Sequence, residues 1–309
     1  MKPLLQRLYA NVQRHALWGP GECVHVAVSG GRDSVVLLDA LVATRGMHRA
    51  ELAVATVDHG IRENSAQDAE FVRELALRHG LPFFHFALKL GREASEEQAR
   101  EARYRVLRPL GKVAVAHHAQ DQAETLLIQL LRGAGGAGLA GMGWENQGLV
   151  RPLLDIEPEL LEEWAAFRAL SWREDETNRD PRFLRSVVRH QLIPTLDELR
   201  TGSTRAIART ASRLAEDEDF FREYLKRFDA NRWSREDFGR LPPAITLRLL
   251  LRAFPAATGD WARGALDQLR TGSRWIPAPG GGGLQLDREV ILVVPKELVS
   301  KEQNQIISP

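Results

Sequence analysis

The sequence predicts an α/β fold: a doubly wound parallel sheet, followed by a smaller, mostly helical C-terminal domain with a short β element. Three observations predict it. Short runs rich in Val and Ala alternate with segments of helical spacing from Val24 to Arg132. Strands that alternate with helices form parallel sheets covered on both faces. The residues with chemical character fall where those runs end, which is where such folds bind ligands.

The elements follow in order. Val24 to Val28 is a β-branched run that reads as a buried strand. From Asp33 to Thr44 the spacing is helical, with Val36, Leu37, Ala40 and Leu41 on one side. Leu52–Val57 is a second strand, and Ser65–His79 a helix with a serine at its cap position. Phe83–Leu88 is a third strand, Glu93–Leu107 a third helix, Val113–Ala116 a fourth strand and Gln120–Arg132 a fourth helix. Five glycines fall within Gly133–Gly141. Such a run resists regular packing, and it reads equally as a connector or as a mobile loop over a site. Helical patterns return at Glu157–Leu170, Pro181–Leu196 and Thr204–Phe228. Further helices, the Gly280–Gly283 stretch and the apolar run Val290–Val294 make up the last part. The expected domains are a nucleotide-binding catalytic domain at 1–200, a helical linker at 201–216, a C-terminal domain at 217–298 and a loose polar tail at 299–309.

Composition narrows the class. The 309 residues are 44% hydrophobic and 27% charged, ordinary for a globular chain. No apolar run reaches the roughly 18–20 residues of a membrane span. Met1–Ala10 lacks the apolar core of a secretory signal. Cys23 is the single cysteine, which excludes an intrachain disulfide and a cysteine-only metal site, and a reducing cytoplasm is the simplest compartment. Net charge is +1, but only six of the 42 basic residues are lysine. That bias fits either a GC-rich genome or phosphate recognition by guanidinium forks.

The most informative segment is Ser29-Gly30-Gly31-Arg32-Asp33-Ser34, between a strand and a helix start. The glycines let backbone approach an anion. The helix start offers unpaired N–H groups and a positive dipole end, and the serines add hydroxyls. Asp33 beside phosphate makes sense if a cation such as Mg²⁺ joins them. The spacing is neither that of the Walker loop nor the dinucleotide G-x-G-x-x-G.

Ser29–Ser34 resembles the SGGxDS loop of the PP-loop ATP pyrophosphatases, of the adenine nucleotide alpha hydrolase-like fold. Three further blocks resemble the tRNA(Ile)-lysidine synthetases within that group. They are Val57–Arg62, Ala116–Thr125 running on through Leu131–Gly133 to Gly138–Met142, and Asn178–Asp180 through Phe183, Arg185, Arg189-His190 and Pro194. The resemblance covers residues 15 to 200 most closely. It implies an ATP-dependent ligase that adenylates O2 of the wobble cytidine of an isoleucine tRNA with a CAU anticodon. Lysine then displaces AMP to give lysidine, so that decoding changes from AUG to AUA. It also implies a homodimer.

Under that resemblance the ATP-binding residues are Ser29, Gly30, Gly31, Arg32, Asp33 and Ser34, with Asp58 and His59 at the end of the second strand; His59 reads equally as structural. The catalytic set is Asp33, His117, Asp121, Glu124, Arg103 and Arg189, with Asp33 as the Mg²⁺ ligand. His117 and His118 sit at a strand end, and Asp121 and Glu124, i and i+3, share a helix face that fits the lysine ammonium or Mg²⁺. Arg100 and Arg103 read either as surface residues or as partners of phosphate or developing negative charge.

From Arg179 to Arg213 there are eight arginines and three acidic residues, a local excess of five positive charges. Phosphate contacts from tRNA suit Arg182, Arg185 and Arg189 on one helical face and Arg205, Arg209 and Arg213 on another. Phe220, Phe221, Tyr224 and Trp233 read as core before they read as base-stacking residues. Two positions depart from the family pattern: Gln120, where an acid is common, and Ser186, where an asparagine is common. Longer family members carry a further C-terminal domain, which would leave tRNA recognition here to the region after Asp217. A PP-loop tRNA thiolase is the competing enzyme, though the cluster-dependent type needs several cysteines. A non-catalytic RNA-binding relative is the third reading, opposed by the intact loop.

Overall fold

The structure, a computed structural model, describes residues 2–58, 65–88, 96–173 and 183–298. The readings at 59–62, including His59, those at 178–182, including Arg182, the expected helix start at Glu93 and the tail 299–309 lie outside these residues. The chain forms two compact units that divide between Ala215 and Glu216.

The first unit contains α1 (Pro3–Arg14), β1 (Cys23–Ala27), α2 (Arg32–His48), β2 (Glu51–Asp58), α3 (Ser65–Arg78), β3 (Phe83–Ala87), α4 (Glu96–Leu107), β4 (Lys112–Ala114) and α5 (Ala119–Leu131). It continues through α6 (Gly136–Leu139), β5 (Glu145–Asn146), β6 (Leu149–Val150), α7 (Pro158–Phe167), α8 (Leu184–Val187), α9 (Ile193–Leu199) and α10 (Ser203–Leu225), which runs past the division. The sheet order is β3-β2-β1-β4-β6-β5, parallel except for the edge pair β5–β6. From β1 the chain winds outward to β3 and then crosses back to β4. The strand order therefore reverses between β1 and β4, and a crevice opens at their carboxyl ends.

Burial explains the layers. Val24, Val26, Val54, Ala55, Val113 and Ala114 are fully buried in the sheet, each larger one adding roughly 1.5–3 kcal/mol. α2 is covered nearly all round: Val35, Val36, Leu37, Leu38, Ala40 and Leu41 are all buried. The spacing had suggested one apolar side. The second side is explained by α1 and α7, which pack on it. α1 was not read from sequence; Pro3 starts it, and Leu4, Leu5, Leu8 and Val12 form its buried face. Arg7 and Asn11 then bind Asp155, and Arg7 also pairs with Glu157, which ties α1 to the chain entering α7.

The expected helix at 181–196 is helical from Leu184 onward but not α throughout: α8 and α9 are joined by a π-helical turn, Val188–Leu192, with helical backbone at both joins, and Pro194 follows that turn. A π turn is a local departure of the kind that helices adopt beside a proline.

The second unit has α11 (Arg235–Arg240), α12 (Pro243–Ala253), α13 (Gly259–Thr271) and four strands, β7 (Arg232–Ser234), β8 (Trp275–Pro277), β9 (Gly283–Leu286) and β10 (Val290–Val294). The strands form an antiparallel sheet in the order β7-β10-β9-β8. Its core holds Trp233, Leu249, Leu250, Phe254, Leu269 and Leu284. Trp233 is buried with its indole N–H donating to the Asp229 carbonyl, and Phe221 and Tyr224 pack on the same core. Of the four aromatics singled out, Phe220 is exposed. No described helix is long and apolar enough to cross a membrane.

Candidate active site

The loop after β1 is built by its own serines. Gly30 has φ +90°, a backbone that side chains rarely adopt. Ser34 is buried; its hydroxyl donates to the Gly31 carbonyl at 2.8 Å and accepts the Ser29 N–H at 3.2 Å. Ser29 Oγ lies 3.3 Å from Ser34 Oγ and accepts from Gly31 N–H at 3.4 Å. Gly31 caps α2 without a side-chain bond, so the first N–H groups of that helix are left for an anion. The Gly30 carbonyl accepts the Arg173 N–H at 2.9 Å. Arg32 turns to Asp33, 3.0 Å, and to Glu162, 2.6 Å.

Across the crevice, β4 ends just before His117 and His118. His118 caps α5: its Nδ1 accepts the Gln120 N–H at 3.2 Å, while its own N–H donates to Asp121 Oδ2 at 2.9 Å. This leaves Nε2 3.5 Å from Asp33 Oδ2 and 3.6 Å from Asp121 Oδ2. One imidazole thus stands between the carboxylate of the β1 loop and that of α5. Burial disfavours its charge, but Asp121 and Asp33 outweigh burial and raise its pKa. Burial pushes the Asp33 carboxyl up, and His118 and Arg32 more than reverse it, so that it stays ionised. Asp121 behaves likewise: burial is overcome by His118, His117, Arg189 and Arg185.

Glu124 lies one turn on, with its side chain at 0% exposure. Arg189 donates to it from Nε at 2.6 Å and from Nη2 at 2.9 Å, and Arg185 from Nε at 3.0 Å. Gln120 adds a bond at 3.2 Å. Arg189 also reaches Asp121 Oδ1 at 2.9 Å. The carboxylates read as a shared face are therefore matched by two arginines from α8 and the π-helical turn. Arg185 and Arg189, expected to face tRNA phosphate and in the case of Arg189 to belong also to the catalytic set, turn inward to α5.

His117 accepts from Arg151 Nε at 3.2 Å. Burial, then the charges of Arg151, Arg100 and Arg103, hold its pKa well below the usual range against the pull of Asp121. Arg103 and Arg100 both stack on the ring of Tyr104, and Arg103 Nε is buried without a hydrogen-bond partner among the described residues. Asp58 ends β2, beside β1 in the sheet. Arg205 and Arg209 lie exposed on α10, where buried Ala208 and Ala211 mark the opposite face. Arg205 lies 3.6 Å from Glu157.

Sequence reasoning passed over two residues. Gln122, buried on α5, donates to the Met142 carbonyl at 2.8 Å and accepts the Met142 N–H at 2.7 Å. Arg151 holds the Gly143 carbonyl at 2.7 Å. Between them they fix the end of the glycine-rich segment. Its glycines were the signal, but the partners lie too far off in sequence to be inferred.

Comparison with known proteins agrees with this geometry. Residues 2–196 match the family model of the PP-loop domain. The tRNA(Ile)-lysidine synthase of Geobacter sulfurreducens is 36% identical over 94% of this chain and 67% of its own length. That of Solibacter usitatus is 38% identical, covering 79% of this chain and 59% of its own, and that of Thermus thermophilus is 41% identical, covering 64% and 40%. The chain thus spans between about two fifths and two thirds of these curated relatives. Among solved structures, the U34-tRNA thiolase of Methanococcus maripaludis, which carries a [4Fe-4S] cluster, shares the fold at a TM-score of 0.57 and 18% identity, over 69% of this chain and 79% of that one. With its serine-stapled loop, its reversed strand order and relatives matched along most of its length, the chain belongs to the PP-loop family, in the branch of the tRNA(Ile)-lysidine synthases.

Proposed function

We propose that the chain ligates lysine to C2 of the wobble cytidine of an isoleucine tRNA with a CAU anticodon, using ATP and releasing AMP and pyrophosphate. The observation that carries this reading is the meeting of Asp33 and Asp121 about His118, at 3.5 and 3.6 Å, where the strand order reverses. That brings a phosphate cradle and a cluster of carboxylates, balanced by Arg185, Arg189 and His118, to the same end of the sheet, as joining a nucleotide to an amine requires.

The residues divide the work. The Ser29–Ser34 loop and the start of α2 bind the pyrophosphate end of ATP. Asp33 fits Mg²⁺, because this ion takes one or two carboxylates and leaves the rest of its shell to phosphate and water. When bound, it neutralises phosphate charge. Asp121, buried at the start of α5, faces the lysine ammonium, while Glu124 keeps Arg185 and Arg189 in place around it. His117, held neutral, is a hydrogen-bond donor rather than a charge. Arg103, whose buried Nε has no hydrogen-bond partner among the described residues, answers negative charge on the transferring phosphoryl group. The domains follow the same reading, with the second unit and the exposed Arg205 and Arg209 gripping tRNA in the cytoplasm. A homodimer is part of the proposal and is tested by light scattering.

The deciding experiment incubates the protein with ATP, Mg²⁺, labelled lysine and unmodified isoleucine tRNA bearing CAU. Lysine becomes acid-precipitable and survives mild base that strips aminoacyl esters; sulfur transfer without lysine incorporation would sink the reading. Asp33→Ala lowers pyrophosphate release on the order of 100-fold or more, and normal turnover in that variant would refute its role. Cys23 is exposed at the start of β1, at the far end of the strand from the crevice, which disfavours thiolase chemistry.

A further inference from the structure

Arg151 directly follows β6 and is 3% exposed. Its guanidinium makes two directed bonds, Nη1 to the Gly143 carbonyl at 2.7 Å and Nε to His117 Nδ1 at 3.2 Å. Its charged and polar neighbours include Tyr104 and Arg100, and no ion pair joins it to a carboxylate among the described residues. A buried guanidinium without counter-charge is costly, and an apolar side chain of similar volume would fill the same space more cheaply. Packing therefore does not account for an arginine here. Its directed bonds do.

A guanidinium only donates, so His117 Nδ1 is the acceptor in this contact. In a neutral imidazole the proton then sits on Nε2. The bond to Gly143 fixes the guanidinium plane and so the direction of the second bond. β4 and β6 are neighbours in the sheet, which places the residues following them side by side. We propose that Arg151 is a positioning residue that locks His117 in its Nε2–H tautomer and so presents a fixed donor at the crevice. The burial of His117 and the positive charges around it act in the same direction, keeping the ring neutral. The kinetic meaning of this assignment rests on the proposed ligation; the tautomer itself does not.

The test uses the full chain labelled with [¹⁵N]histidine. Two-bond ¹H–¹⁵N spectra at pH 8, assigned with His117→Gln, show Nδ1 unprotonated and Nε2 protonated in the wild type. A protonated Nδ1 overturns the proposal with no variant needed. In Arg151→Met the His117 signals move to a mixture of tautomers. Pyrophosphate release falls about 10-fold to 100-fold in kcat, with KM for ATP little changed. In the His117→Gln background the same substitution adds less than about 2-fold, because both changes act through one ring. An unaltered tautomer in folded Arg151→Met, or additive losses in the double variant, overturns the assignment. A locked tautomer in a protein that ligates no lysine would leave the positioning role intact and remove only the ligation reading.

Discussion

Glu124 and Arg189 meet fork to fork: Arg189 Nε lies 2.6 Å from Oε1 and Nη2 2.9 Å from Oε2, on a carboxylate with no solvent exposure. The pair joins α5 to the π-helical turn, 65 residues later in the chain. Removing Glu124 leaves two partly buried guanidiniums beside a hole, with Asp121 still holding Arg189. Glu124→Ala therefore costs about 1.5–3 kcal/mol of unfolding free energy, read from urea denaturation. A loss below 1 kcal/mol would show that the arginines find other partners.

His117 gives the protein a specific acid sensitivity. Its folded pKa lies well below the usual 6.5 because burial and Arg151, Arg100 and Arg103 outweigh Asp121. Below pH 6.5 the unfolded chain takes up a proton there that the folded protein refuses, so this residue removes stability as pH falls. Between pH 7.5 and 5.5 the wild type should lose about 1 kcal/mol more than His117→Gln. Denaturation of both proteins at the two pH values measures the difference. His118, whose pKa is raised, works in the opposite sense and is common to both proteins.

The clamp on the glycine-rich segment is tested at Gly141. Its φ is +67°, and an added Cβ would stand 2.5 Å from Gln122 Oε1. Gly141→Ala forces Gln122 off Met142, breaks two buried hydrogen bonds and strains the backbone. The expected loss is about 2–4 kcal/mol, visible as a lower melting temperature. Gln122→Ala should lose a similar amount, and the double variant little more, since both changes remove one clamp.

Exposed and carboxylate-paired arginines should separate in RNA binding. Arg209 is exposed on α10, whereas Arg185 is spent on Glu124. Arg209→Ala lowers the slope of log K against log salt for tRNA by about 1, with stability unchanged. Arg185→Ala lowers stability first. Filter binding across a salt series, together with thermal melts, distinguishes the two; an unaltered salt slope for Arg209→Ala would remove it from the RNA surface.

What could be read from the sequence was what is local. The strand ends, the Ser29–Ser34 turn and the shared face of Asp121 and Glu124 follow from periods of two and 3.6 residues and from glycine at a tight turn. Two kinds of feature escaped. β7 and β8, three residues each, are too short to show alternation. The partners of the site were hidden for a different reason: Arg189 with Glu124, Arg151 with His117 and Gln122 with Met142 meet through tertiary packing that no spacing encodes. The arginines at 185 and 189 looked like a basic face because nothing local showed that carboxylates elsewhere neutralise them.

His118 begins α5 with the same ring that stands between Asp33 and Asp121. Helix initiation and the charge balance of the crevice therefore share one side chain. The same turn of α5 carries Gln122 into its clamp on Met142, so a single helix start anchors both the crevice and the end of the glycine-rich segment.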